Sequence, residues 1–242
     1  LTMTEKTLYP DLLQINTTLC KDELLEDYQS LQMQAGAHNS AMSNDFAAFV
    51  MSYLAEAIAN TTENNIWQGT GATDGEFEGF CTAGSGIYAA DAPTSSTVAT
   101  AYTAATIIAA LQTLVADIPS AVYGKASEDL YIFMNPKTYR FYISAISTLG
   151  YVNAYNMNET YVPYFEGIKI AVVGGIADNV MVAAEKNNQF FGTDLISDAW
   201  GGAPSIKILD MSDLDASHQL RVNVKWSAGV QTGIASDITY QT

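Results

Sequence analysis

The chain contains two histidines, His38 and His218, and a nucleophilic hydrolase would need one of them as its general base. Polar residues surround both histidines, and no serine lies in the Gly-x-Ser-x-Gly pattern of a nucleophile elbow. Surface histidines are the simpler interpretation. We therefore predict no catalytic residue of this kind.

The segment Gly84-Ser-Gly86-Ile-Tyr-Ala89 matches the loose dinucleotide-binding pattern. That pattern works only between a strand and a helix, because the first turn of the helix holds the pyrophosphate. Here Pro93 would end such a helix early, and the residues before the segment form a poor strand. We predict a loop here and no cofactor-binding residue, and the sequence has no phosphate-binding Gly-x4-Gly-Lys-Ser/Thr motif either.

Metal chemistry has two candidate sources, the carboxylates of Asp74, Glu76 and Glu78 and the thiols of Cys20 and Cys81. Alternating carboxylates can hold calcium or hydrolyse a glycoside. The EF-hand spacing is absent, however, and two glycines make the segment too loose to fix a carboxylate pair. The cysteines lie in no zinc-binding spacing. The sequence thus predicts an exposed acidic loop, two free, partly buried thiols and no metal ligand.

Composition narrows the class of protein further. The 242 residues are 48% hydrophobic and 15% charged, which excludes a disordered or fibrous chain, and no apolar run is long enough to cross a membrane. Ten basic against 26 acidic residues give a net charge of −16, which argues against binding nucleic acid through its phosphates. Residues 22–124 carry twelve acidic residues and no basic one. This stretch is either a solvated acidic face or a surface that repels a polyanion.

The elements that would position these groups follow from periodicity and turn signals. Residues 22–34 predict a helix and 36–44 a loop. Apolar residues at helical spacing then predict a long amphipathic helix over 44–66, with Phe46, Phe49, Val50, Tyr53, Leu54, Ala57 and Ile58 on one side. Residues 68–98 are rich in glycine, threonine and serine, and they predict a loop that extends from the body of the protein.

The second half of the sequence predicts helices and strands that alternate without a regular β-α-β repeat. A helix is expected over 99–116 and a strand over Leu130–Met134, after which Asn135-Pro136 begins a helix that reaches about Leu149. Further strands are expected at 168–173, 180–184, 205–210, 219–226 and 229–235. This order favours an α+β fold over a doubly wound sheet.

Four stretches of the sequence are informative together: Leu8–Asn16 with the following Leu19–Leu24, the end of the long helix Glu63–Gly69, the strand and Asn-Pro turn of Asp129–Tyr139, and Gly192–Leu195 with Leu220–Trp226. They resemble the major capsid proteins of tailed phages, which have the Hong Kong 97-type fold, and most closely those of crAss-like phages. The resemblance implies an α+β capsid fold with a long spine helix, a peripheral domain and an axial domain.

The resemblance also implies a division of the chain. Residues 1–43 would be an N-terminal segment, 44–98 the peripheral domain with spine helix 44–66, 99–204 the axial domain, and 205–242 strands that return to the peripheral domain. The start at Leu1 predicts proteolysis or truncation of a longer precursor.

The function expected from this resemblance is that of a structural protein and not an enzyme. Copies would form the hexamers and pentamers of an icosahedral shell, assembled in the host bacterial cytoplasm, that encloses DNA without sequence-specific binding and without a membrane. Portal or decoration proteins would be further partners. The alternatives are an encapsulin-like compartment shell, an acidic hydrolase or a host-surface binding module.

Overall fold

A computed structural model describes residues 5–20, 23, 44–82, 86–90, 94–96, 101–123, 129–150, 163–193, 206–211, 214 and 217–241. The chain divides into two compact units. The first unit comprises Leu1–Tyr9, Glu63–Phe191 and Gly229–Thr242, and the second comprises Pro10–Thr62 and Gly192–Ala228. The helix expected at 22–34 and the loop expected at 36–44 lie almost wholly outside the described residues.

The described residues form five α-helices and ten strands, in keeping with the α+β prediction. The helices are α1 (Asn44–Gln68), α2 (Ile87–Ala90), α3 (Ile107–Ala116), α4 (Ser120–Tyr123) and α5 (Pro136–Thr148). The strands are β1 (Asp11–Cys20), β2 (Thr94–Ser96), β3 (Leu130–Met134), β4 (Tyr164–Phe165), β5 (Ile168–Val172), β6 (Met181–Glu185), β7 (Gln189–Thr193), β8 (Ile206–Asp210), β9 (Gln219–Thr232) and β10 (Thr239–Gln241).

Helix α1 is the long helix that the sequence predicts, and it extends two residues further than expected. It begins in the second unit and ends in the first. Val50 and Leu54 are buried on it, whereas Tyr53, predicted on the same apolar side, has 56% of its surface exposed. The buried stripe of α1 is therefore narrower than the sequence indicates.

The second unit contains most of a four-stranded sheet in which β9 is the central strand. The sheet has the order β1-β9-β7, and β8 also pairs with β9. β1 and β9 run antiparallel with Leu13 opposite Trp226 and Asn16 opposite Asn223. Side chains alternate along β9, so that Leu220, Val222, Val224 and Trp226 are buried on one face.

The first unit is built on a six-stranded mixed sheet with the order β2-β10-β6-β3-β5-β4. β3 is parallel to β5 and antiparallel to β6. Helices α3 and α5 bury their apolar sides in one core with these strands, which includes Leu111, Leu114, Ile132, Tyr142 and Ile170. Local signals placed β3 and α5 correctly: the Asn135 Oδ1 accepts a hydrogen bond from the Lys137 N at 2.6 Å, and Pro136 occupies the first helical turn.

Several expectations are wrong in their boundaries. The helix expected from 99 begins only at Ile107, because a turn at 104–106 precedes it. The strands expected at 219–226 and 229–235 are one continuous strand, β9, which pairs with β1 as far as Ala228 and continues to Thr232. β1 and β7 were not predicted, although Leu13, Ile15, Thr17 and Leu19 alternate along β1 as a half-buried strand requires.

After the end of α1, the described residues of the stretch 68–98 contain only the single turn α2 and the short strand β2, as a loop-rich segment should, but they do not extend from the body as predicted. Phe77, Phe80, Ile87 and Tyr88 are all buried in the first unit. Four large apolar residues without a regular period therefore form part of a core, and the segment does not need a neighbouring subunit to cover them.

Candidate functional site

The polar residues that suggested chemistry do not form a catalytic group in the described part of the chain. His218 is exposed at the start of β9, and His38 lies outside the described residues. No group of three or more His, Cys, Asp or Glu side chains among the described residues is placed to hold a metal ion. Gly84 and Ser85 are not described, and the residues after them form the single turn α2, whose Ile87 and Tyr88 point into the core.

The acidic loop has a structural explanation. Glu76 Oε2 accepts hydrogen bonds from the Thr70 hydroxyl at 2.7 Å and from the Thr70 N at 3.2 Å. These hydrogen bonds lower the pKa of the Glu76 carboxyl, because they stabilise its charged form. Asp74 and Glu78 are exposed on either side of it. One carboxylate thus closes a tight loop and is not paired with a second one.

Both thiols are free, as predicted, but only Cys81 is partly buried as expected for the pair. Cys20 is exposed at the end of β1. Cys81 is half-buried beside Tyr88, and desolvation raises the pKa of its thiol well above the ordinary range. A raised pKa keeps Cys81 in the unreactive thiol form.

The most elaborate arrangement of polar groups in the first unit holds the end of α1. The Glu63 carboxylate accepts hydrogen bonds from the backbone N of Gly174 at 2.9 Å and of Gly175 at 3.2 Å. One turn later, the Gln68 Nε2 donates to the Gly175 carbonyl oxygen at 2.6 Å. The loop that follows β5 is therefore fixed against the last two turns of α1. We call these contacts the α1 junction.

The chain leaving α1 folds back onto the same helix end. The Gly79 N donates to the Gly69 carbonyl at 2.8 Å, and the Phe80 N donates to the Ile66 carbonyl at 2.9 Å. A Cβ atom at Gly79 would lie 2.6 Å from the Asn65 carbonyl oxygen and 2.8 Å from the Gly69 N, so this approach requires glycine. Residues 69–82, which we call the returning segment, are thus joined to the end of α1 by backbone hydrogen bonds.

A row of aromatic rings fills the space beneath this junction. Trp67 lies with its ring centre 5.5 Å from that of Phe133 on β3 and 5.6 Å from that of Phe80. Phe80 stacks on Tyr88 at 5.4 Å, and Tyr88 contacts Tyr240 of β10 at 5.8 Å. The Tyr88 hydroxyl accepts a hydrogen bond from the Gln189 Nε2 at 2.7 Å. The row joins α1, the returning segment and the sheet into one rigid body.

These contacts fix geometry but offer no place for a substrate to react. Their donors and acceptors are backbone groups, the amides of Gln68 and Gln189, the Tyr88 hydroxyl and the Glu63 carboxylate, which already has two partners. Sequence reasoning identified the end of α1 at Glu63–Gly69 but missed its partner loop, because 111 residues separate Glu63 from Gly174.

Comparison with solved structures identifies the fold. The fold is that of Hong Kong 97-type phage capsid proteins, and the matches extend over the full chain. A structure from Mycobacterium phage Che8 covers 100% of this chain and 94% of its own, with a TM-score of 0.50 and 10% identity. The match to the capsid of cyanophage A-1(L) covers 95% of this chain and 76% of the cyanophage chain, with a TM-score of 0.51 and 13% identity. The match to a structure from Gordonia phage Cozz covers 98% of this chain and 71% of the phage chain, with a TM-score of 0.53 and 10% identity.

Sequence comparison points in the same direction. A profile of the phage capsid family matches residues 40–141. That region contains α1, the returning segment, the aromatic residues Trp67, Phe80 and Tyr88, and β3 with the first turns of α5. No curated protein sequence is similar enough to count as a match. The family profile covers less than half of the chain, and the solved structures share its fold across nearly the whole chain.

No helix in the described ranges is both long and apolar enough to cross a membrane.

Proposed function

We propose that this chain is the major capsid protein of a tailed bacteriophage, and that its copies form the hexamers and pentamers of a closed icosahedral shell around packaged DNA. The observation that carries the proposal is that the family profile over 40–141 contains α1, with its part of the α1 junction, and the aromatic residues Trp67, Phe80 and Tyr88. A shell subunit needs a rigid body repeated around closed symmetry, and this region provides one.

The proposal assigns each part of the chain a role. Helix α1 is the spine helix, residues 44–98 belong to the peripheral domain, 99–204 form the axial domain, 205–242 return to the peripheral domain, and 1–43 are the N-terminal segment. No residue is assigned to catalysis, to a cofactor or to a metal. The four sequence stretches described above favour a member of the crAss-like group, with assembly in the cytoplasm of a bacterial host and with portal or decoration proteins as partners.

As the spine helix of the resembled fold, α1 would face the shell interior, and it would make that surface acidic. Helix α1 contains three acidic residues and no basic one, and Glu56 and Glu63 are exposed on it. Acidic side chains repel phosphates over about 8 Å at physiological salt. We therefore expect the shell to enclose DNA without sequence-specific binding and to leave it mobile.

Purified protein tests the proposal by sedimentation velocity and negative-stain electron microscopy. We expect capsomers or closed particles, whereas an acidic hydrolase or a host-surface binding module would remain a monomer or small oligomer. A single small species at every concentration and salt condition would contradict the shell function. Particles isolated from cells distinguish the two kinds of shell, because a phage capsid packages DNA and an encapsulin-like compartment contains protein.

The DNA expectation has its own measurement. Free protein is titrated with duplex DNA from low to physiological salt. We expect no binding tighter than ~10⁻⁶ M at physiological salt, which is the tight end of ordinary non-specific affinity. Tighter binding would reveal a basic lining and overturn this part of the proposal.

A further inference from the structure

The solvent-facing side of the sheet in the second unit carries three of the ten basic residues of the chain. Lys207 on β8 and Arg221 and Lys225 on β9 are all exposed. Lys207 lies opposite Asn223, and Arg221 and Lys225 lie two positions to either side of Asn223 on the same strand. Because side chains alternate along a strand, all three point to the same side of the sheet. We call this side the basic sheet face.

The three charges are close enough to act together. Diagonal neighbours in an antiparallel pair are about 7–8 Å apart, so Lys207 lies within roughly one Debye length of both other cations. The Arg221 Nε donates to the Asn16 Oδ1 of β1 at 3.1 Å, which orients its guanidinium across the face.

No acidic residue of β1, β8 or β9 shares this face. Asp11 and Asp210 are the acidic residues within these strands, and they pair with Ala228 and Leu220, whose side chains are buried on the opposite side. The rest of the basic sheet face is polar and uncharged or apolar: Gln14, Asn16, Thr18, Asn223 and Ser227, with exposed Leu12 and Leu209.

This face is exceptional because the remainder of the chain is acidic. Twenty-six acidic residues stand against the other seven basic ones, and 22–124 contain no basic residue. Two copies that approach each other through most surfaces therefore bring like charges together. An approach through the basic sheet face is attractive, and Leu12 and Leu209 add apolar area that water would leave on contact.

We propose that the basic sheet face binds an acidic surface of a second copy of this chain, as one of the contacts of the proposed shell. The inference rests on the proposed function, because a shell supplies that second copy in every direction. Duplex DNA fits the face less well, since three cations neutralise few phosphates while the rest of the chain repels them.

The test compares two double variants that change the net charge equally. Arg221→Glu with Lys225→Glu reverses the basic sheet face. Arg140→Glu with Lys186→Glu reverses two exposed basic residues of the first unit and serves as the control. Circular dichroism and thermal unfolding confirm that each variant is folded, and sedimentation velocity measures self-association against protein concentration and salt.

We expect the face variant to need at least about tenfold more protein for half-maximal association, because like charges then meet across the contact. The control should differ less than about threefold from the wild type. Replacing Arg221 and Lys225 by glutamine should give an intermediate loss that depends less on salt than wild-type association does, because only Lys207 remains charged on the face.

The outcomes separate this inference from the proposed function. If the wild type forms shells and the face variant forms them at the same protein concentration, the face contact is refuted and the shell function stands. If the wild type forms only small oligomers, and the face variant but not the control fails to form them, the shell function is refuted and the contact is supported. A wild type that is a monomer at every concentration would contradict both. Duplex DNA binding tighter than ~10⁻⁶ M that the face variant loses would assign the face to nucleic acid instead.

Discussion

Replacing Gly175 by alanine should destabilise the first unit substantially, whereas the same change at the adjacent Gly174 should not. A Cβ atom at Gly175 would lie 2.8 Å from the Glu63 carbonyl carbon and 3.0 Å from the Trp67 Cδ1. A Cβ atom at Gly174 would meet only the flexible Glu63 Oε1, at 3.4 Å, which is close to ordinary contact. Neither glycine has a positive φ, so the difference between them is one of space and not of backbone conformation.

The cost follows from what must move. Inserting a methyl group into a packed site typically costs about 1–3 kcal/mol. Separating the loop from α1 also weakens the hydrogen bonds of Glu63 and Gln68 to Gly175, each worth about 0.5–1.5 kcal/mol net. We expect a loss of about 2–4 kcal/mol in the free energy of unfolding for Gly175→Ala. Gly174→Ala should stay within about 1 kcal/mol of the wild type, since alanine also reduces the entropy of the unfolded chain.

Denaturant titration of both variants, with amide hydrogen exchange over 63–69 and 173–176, measures this difference. Gly175→Ala should lower the unfolding midpoint and accelerate exchange at the α1 junction. At about 2–4 °C per kcal/mol, its melting temperature should fall by roughly 4–16 °C. Equal stability of the two variants would show that the loop yields without cost and that the α1 junction is not rigid.

Three further changes probe the same unit. Phe80→Ala should cost about 3–5 kcal/mol in denaturant titrations because it leaves a cavity between Trp67 and Tyr88, and a cost below about 1 kcal/mol would mean that the aromatic row is not packed. Asn135→Ala should lower the free energy of unfolding by about 1 kcal/mol or more, because it removes the cap of α5 and the Nδ2 hydrogen bond to the Ile176 carbonyl at 2.9 Å. Asn135→Asp keeps the capping oxygen and should recover part of that stability. The lowered pKa of Glu76 predicts stability that is present at neutral pH and lost as pH falls through that pKa; Glu76→Gln should remove this dependence, and identical acid titrations of the two proteins would contradict the Thr70 contact.

The elements that sequence predicted well are those fixed by local chemistry. Asn135-Pro136 sets both the end of β3 and the start of α5, because the asparagine caps the helix and proline suits its first turn. The spacing of Phe49, Val50 and Leu54 likewise places α1 within two residues of its observed end. These signals act over a few turns of the chain, so they can be recognised without knowledge of distant contacts.

What sequence missed depends on partners distant along the chain. β9 continues through Ala228 and Gly229, which look like a break locally, and β1 lies more than 200 residues away from the strand that fixes its register. The returning segment has the composition of a loop, yet Phe77 and Phe80 are buried because the end of α1 and the sheet offer them a site. Neither the period of a sequence nor its composition contains that information.

The polar contacts of this chain divide by purpose. Glu63 and Gln68 form hydrogen bonds with the loop at Gly174 and Gly175, and Glu76 forms them with Thr70. Because these contacts lie within one unit, they stiffen the subunit and contribute little to binding a neighbour. A shell requires that division, because a subunit that deforms under weak contacts cannot repeat one geometry around closed symmetry. Attraction between acidic copies must then come from exposed basic side chains, and the basic sheet face is where the described strands place three of them together.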